Sequence, residues 1–257
     1  MIPTLRALRM PLVLCAAALL ATGCATRGAT PPQDTAWAGA RQLVLVTTPG
    51  WNDTQGTLRT FARGHGAWRK VGGAVPITVG RNGSAWGLGL HAAQADGPQK
   101  RESDGRAPAG VFAIGQAFGY AAGADTALPY AQMRESSWCM DVVDSPLYNR
   151  IVDAAVVGQA AVQGSSEPMR LDLHNGGDAR YRNGFVIEHN AQAAKGGGSC
   201  IFAHLWKAPG ETTAGCTAMA PESMQRLYAW LDPKARPVFV LLPAAELARL
   251  RQAWRLP

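Results

Sequence analysis

Cysteine is scarce in this chain, five in 257 residues. It has no run of lysines and arginines, no internal repeat, no heptad pattern and no low-complexity tract. The lack of a basic block argues against a nucleic-acid partner, because phosphate backbones are held by clustered cations. Without repeats or heptads, solenoids and coiled coils are excluded. There is no H-E-x-x-H pair, and the strand-borne histidines His174, His189 and His204 lack helical i, i+4 spacing, so no metal and no cofactor are expected. No apolar run is long enough to cross a bilayer comfortably; the longest, Pro11 to Ala21, falls short of the roughly 20 residues required.

That run has a different context. Arg6 and Arg9 precede it, and small residues follow it up to Gly23-Cys24, which is the three-part layout of a secretory signal. The segment "LLATGC" resembles a bacterial lipobox, in which the Cys becomes the lipidated first residue, although Ala21 stands where Leu is commonest. The alternative is an ordinary cleaved signal with a coincidental Cys. The expected organisation is a signal over 1–23, lipidation at Cys24, a polar tether over 24–38 and one domain over 39–257. Ala25 after the lipid Cys resembles an outer-membrane address. Two units of the formal +7 leave with the signal, and the mild basic balance that remains suits an anionic wall polymer or lipid surface.

Cys139, Cys200 and Cys216 remain in the exported part. Three thiols in an oxidising compartment suggest one disulfide and one free thiol. Sequence does not choose the pair, but a reactive Cys216 would leave Cys139–Cys200. Three buried unpaired cysteines are the competing reading.

With 29 glycines and 17 prolines the chain turns often. Short runs rich in Val, Ile and Phe recur at 43–48, 75–80, 110–115, 170–174, 184–189, 200–206 and 237–242, each bounded by turn formers. The fold is therefore expected to be mainly β. "PESMQRLYAWL" (221–231) places Met224, Leu227, Tyr228 and Leu231 at helical spacing behind Pro221, and "PAAELARLRQAWRLP" predicts a C-terminal helix carrying Leu247, Leu250 and Trp254.

In "CIFAHLW", alternation puts Ile201, Ala203 and Leu205 on a core face and His204 on the other, with Trp206 beside it. Thr213-Ala214-Gly215-Cys216 follows after a loop. A strand end and a Gly turn can bring imidazole and thiol together, and an imidazolium stabilises the nucleophilic thiolate. If Cys216 just precedes a helix, the N–H groups of Gly215 and Cys216 can converge on one oxyanion. His189, in "FVIEHN", is either a second active-site imidazole or a local hydrogen-bond partner. His65 and His91 read as solvated. "SSWCMDVVDSPLYN" (136–149) gathers Asp141, Asp144, Tyr148 and Asn149, either lining a cleft or fixing a loop through Cys139.

"HLWKAPGETTAGCTAM" resembles the active-site signature of the L,D-transpeptidase catalytic domain, the YkuD-like family. There a strand-end His is followed by a loop, then S/T-x-G-C and a Met, here Thr213 to Cys216 and Met219. "SDGRAPAGVFAIGQAFGY" (103–120) resembles the hairpin that opens the family's sheet. The likeness spans about 40–243 and is strongest over 184–219. It implies a β-sandwich with a helix after the catalytic Cys and a C-terminal helix. It also implies an exported, lipid-anchored enzyme acting on peptidoglycan stem peptides in the periplasm. On that resemblance Cys216 attacks the carbonyl of the third stem residue and expels terminal D-alanine, and His204 shuttles the proton; His189, Trp206 and Thr213 are candidates for a second base or a substrate contact. The acceptor is an amine of another stem, a lipoprotein Lys, or water. The rivals are an L,D-carboxypeptidase or related wall hydrolase, and a catalytically silent peptidoglycan-binding lipoprotein. One departure stands out: Ala218 occupies a place where many relatives carry Arg, so carboxylate recognition must come from elsewhere, with Lys195, Arg180, Arg182 and Arg134 as candidates.

Overall fold

The computed structural model describes Met1 and residues 36–257. The expected signal, the lipidation site Cys24 and most of the tether lie outside the described residues. The last part of the expected tether belongs to the domain: Trp37 is buried and meets the Trp254 ring edge-on at 5.6 Å.

In chain order the elements are β1 (Gln42–Thr48), β2 (Gln55–Ala62), β3 (Arg69–Thr78), β4 (Ser84–Trp86), β5 (Ala107–Gly119), β6 (Tyr130–Gln132), β7 (Ser137–Cys139), β8 (Ile151–Asp153) and α1 (Ala154–Val157). After these come β9 (Glu167–Pro168), α2 (Leu171–His174), β10 (Asn183–Ile187), β11 (Phe202–Leu205), β12 (Thr217–Met219), α3 (Pro221–Trp230), β13 (Val238–Pro243) and α4 (Ala244–Leu250). The fold is mainly β, as expected of the resemblance.

Ten strands form one sheet in the order β10-β11-β12-β3-β2-β1-β13-β5-β4, with β6 beside β5. The thirteen-residue β5 pairs with β13 along its first half and with β10 along its second, so the sheet closes on itself. The runs "LVLV" of β1 and "VFVLL" of β13 pair in parallel and are buried throughout, as continuous apolar strands in the middle of a covered sheet should be. At Gly110 (φ 135°) a Cβ would land on the His91 ring. His91 is accordingly buried, with Nδ1 accepting the Val111 N–H at 3.1 Å, and is not the solvated loop histidine expected.

α3 starts at Pro221, has Glu222 in its first turn, and buries Met224, Leu227 and Tyr228. Burial of each such side chain contributes roughly 1.5–3 kcal/mol. The Tyr228 hydroxyl also pins the closure of the sheet: it lies 2.7 Å from the carbonyls of Phe118 and Gly184 and accepts the Gly184 N–H at 2.8 Å.

A second sheet, β8-β7-β9, rises from the long excursion between β5 and β10. There the expectation of a strand at 170–174 fails. "LDLH" is the helical turn α2, with the Arg170 side chain bound to Asp172 and the His174 and Leu173 N–H groups directed to the Arg170 carbonyl. Four residues are too few for alternation to distinguish strand from helical turn. β2 gives no sequence signal either, because only Leu58 of its eight residues is buried.

Candidate active site

β11 and β12 are parallel neighbours, with Ala203 opposite Thr217 and His204 opposite Ala218. Opposed residues on neighbouring strands face the same way. Ile201, Ala203 and Leu205 enter the main core, as alternation predicts. Phe202 and Cys216 lie on the other face, in a second buried cluster with Tyr181 and Cys200. His204 shares that face, with its ring edge-on to Tyr181 at 5.2 Å between centroids.

Cys216, at the entry to β12, and His204 of β11 therefore lie on one face, and both line a cavity of about 450 Å³. Glu167, Tyr181, Arg81 and Lys100 line it too. Cys216 is a free thiol. It donates to the Cys200 carbonyl at 3.4 Å and accepts the Phe202 N–H at 3.3 Å. Cys139 and Cys200 are joined in a disulfide, which fastens the small sheet to the segment leading into β11.

Cys216 does not precede a helix; it leads directly into β12, and α3 begins five residues on. The turn before it is held by Thr213, whose Oγ1 donates to the Cys216 carbonyl at 2.7 Å and accepts the Gly215 N–H at 3.1 Å. The Gly215 N–H is thus already engaged and does not point at an oxyanion, contrary to the sequence expectation. Gly215 is needed for another reason: a Cβ there would stand 3.0 Å from the Arg106 carbonyl oxygen.

The resting electrostatics also differ from expectation. Burial, reinforced by the negative charge of Glu167, pushes the Cys216 thiol up to about 12. Burial pushes the His204 imidazole down to about 4, despite a hydrogen bond with the Leu205 carbonyl. At neutral pH the pair is thiol and neutral imidazole, not thiolate and imidazolium. His204 Nδ1 lies 2.6 Å from the Leu205 carbonyl oxygen, which only an N–H can bond. That fixes the tautomer and leaves Nε2 as a proton acceptor.

The structure removes His189 from the site. Its Nδ1 accepts the Leu88 N–H at 3.1 Å and its Nε2 donates to the Gly197 carbonyl at 2.9 Å, so both nitrogens are occupied. Trp206 follows β11, its N–H bound to the Met219 carbonyl, and does not line the cavity. The 136–149 stretch acts mainly as a brace. Asn149 bonds the carbonyls of His189 and Asn190 and the N–H of Cys200, and Tyr148 donates to Glu102. Of the four proposed carboxylate readers only Arg180 reaches the cavity, and it is bound to Asp178 at 2.7 Å. Lys195 pairs with Asp144, and Arg134 with Asp153.

Arg81, Lys100, Glu167 and Tyr181 were not singled out by sequence. Each comes from a different segment, and no local spacing connects them. Residues 51–240 match the family model for YkuD, the L,D-transpeptidase catalytic domain. No curated protein and no solved structure matches the chain.

Proposed function

Because the chain belongs to the L,D-transpeptidase catalytic-domain family, cysteine-based enzymes that modify peptidoglycan through its stem peptides, we propose that Cys216 is its nucleophile and His204 its general base and acid. The observation that carries this reading is the placement of a free thiol at the entry to β12 and a tautomer-fixed imidazole on β11, both lining one cavity.

The substrate is the tetrapeptide stem, and the bond cleaved joins its third residue to terminal D-alanine. As the Cys216 sulfur attacks the carbonyl carbon, its proton passes to His204 Nε2, so charge develops only when substrate has displaced water from the cavity. The Cys216 N–H supplies an oxyanion donor; such a donor contributes roughly 3–4 kcal/mol. Collapse expels D-alanine, its nitrogen protonated by the imidazolium, and leaves a thioester on Cys216. An acceptor then attacks, and His204 returns the proton to sulfur. Where relatives use the Arg replaced here by Ala218, Arg81 reads the substrate carboxylate: it is exposed, lines the cavity beside Thr213 and makes no ion pair among the described residues. The single catalytic domain is exported and held at the membrane through lipidated Cys24.

The test is intact mass after incubation with a carbapenem. One adduct on Cys216 is expected, abolished by Cys216→Ala and slowed on the order of 100-fold by His204→Ala. A protein that stays unmodified while still pelleting with isolated sacculi would instead be a silent wall binder.

A further inference from the structure

Three carboxyl groups line the cavity, those of Glu102, Asp141 and Glu167, and the acylation step uses none of them. Glu167 sits on β9, opposite Cys139 of β7, and Cys139 is bridged to Cys200, whose carbonyl accepts the Cys216 thiol. Its Oε1 accepts the Tyr181 hydroxyl at 2.7 Å, and the same tyrosine ring abuts His204. The carboxyl is thus tied to both halves of the catalytic pair through two short connections.

The other acids of the cavity are satisfied. Glu102 accepts the hydroxyls of Tyr148 and Ser199, and Asp141 takes the N–H and hydroxyl of Ser166. Glu167 has one neutral phenol on one oxygen, and its Oε2 accepts no hydrogen bond among the described residues. Arg180, whose charge acts on Glu167, is ion-paired with Asp178 and not with Glu167. A half-buried carboxyl in this state lacks a cationic partner.

We infer that Glu167 binds the ammonium group of a primary-amine acceptor and takes its proton, so that the cavity favours amine transfer over hydrolysis; this rests on the Cys216 thioester reading above. In the step, R–NH3+ gives a proton to the Glu167 carboxylate. The free amine attacks the thioester carbonyl, the carbon–sulfur bond breaks with its electron pair on sulfur, and one of the two remaining amine protons passes through His204 to the sulfur while the other stays on the amide nitrogen. The products are the amide, the Cys216 thiol and a protonated Glu167, which returns its proton to solvent. Burial, with repulsion from Asp141, holds the Glu167 carboxyl up at about 7, a better base toward an ammonium than an ordinary carboxylate.

Glu167→Gln keeps the Tyr181 hydrogen bond and is the variant to test on the full chain. With disaccharide-tetrapeptide as both donor and acceptor, mass spectrometry separates D-alanine release, cross-linked dimer (amine capture) and free tripeptide (water capture). The expected result is D-alanine release within about 3-fold of wild type, dimer reduced on the order of 100-fold, and tripeptide taking its place. Unchanged melting temperature and carbapenem labelling no slower than in wild type would show that fold and nucleophile are intact, since removing the Glu167 charge eases ionisation of the Cys216 thiol. An unaltered dimer-to-tripeptide ratio in Glu167→Gln overturns the inference, and so does a wild-type protein that forms the Cys216 adduct yet yields tripeptide alone. Failure of the wild type to form any adduct is a different result and removes the thioester reading itself.

Discussion

Thr213 donates its hydroxyl to the carbonyl of Cys216 at 2.7 Å, and one buried side chain thereby holds the residue that carries the sulfur. Replacing it by Val keeps the shape and removes a donor for the Cys216 carbonyl and an acceptor for the Gly215 N–H. Each buried group left unsatisfied costs about 1–3 kcal/mol. Thr213→Val should lower the melting temperature and slow carbapenem labelling of Cys216, while Thr213→Ser retains both. Equal behaviour of the two variants would mean that the hydroxyl does not order the turn.

The three buried histidines, His91, His189 and His204, give the fold a signed pH dependence, because burial lowers each of them. Burial holds both His189 and His204 down at about 4. Below the ordinary histidine value of about 6.5, the unfolded chain takes up protons that the folded chain refuses, so stability falls as pH drops from about 6.5 to 4. Glu167, held up at about 7, has the opposite sign, because the folded form keeps its proton where the unfolded form has lost it. Three lowered histidines outweigh the two carboxyls raised by burial, Glu167 and Glu188, so the melting temperature should decline across that window. His189→Gln should flatten the decline without slowing Cys216 labelling at a temperature where the variant is folded. A labelling loss as large as that of His204→Ala would return His189 to the chemistry.

The Cys139–Cys200 bridge closes a loop between residues 61 apart. By loop-closure entropy it stabilises the folded chain by about 4 kcal/mol. It also positions the carbonyl that the Cys216 thiol faces. Cys139→Ser should therefore reduce the midpoint of urea unfolding and also slow Cys216 labelling in the folded protein. A stability loss with wild-type labelling would limit the bridge to a mechanical role.

Arg81→Ala should raise the KM for tetrapeptide about 10-fold or more, as expected when a charged hydrogen bond of about 1.5–3 kcal/mol is lost. Labelling by iodoacetamide, which has no carboxylate, should be unaffected. If both fall together, Arg81 supports the cavity wall rather than reading the ligand.

The strands beside the candidate site were legible because they are short, apolar and alternating. β11 divides its side chains between two buried clusters along the lines that a period of two dictates. α3 was legible for the same kind of reason, its apolar positions at helical spacing behind a proline. The residues that surround the sulfur were not. Glu167 and Tyr181 come from an irregular excursion whose path is set by a disulfide and by side-chain bonds to backbone, such as those of Asn149, and such contacts leave no periodic trace. His189 and His204 both sit at or just past the end of a β run, so local pattern could not say which one had both nitrogens taken.

β11 and β12 each have hydrogen-bonded strands on both sides. Neither the sulfur nor the imidazole can shift without disturbing several neighbours in a closed ring of strands. The excursion between β5 and β10 contributes Glu167 and Tyr181 to the cavity but neither Cys216 nor His204. That division makes the excursion a natural graft: chimeras exchanging it between relatives should trade preference for the incoming partner while the bond-breaking half of the turnover stays the same.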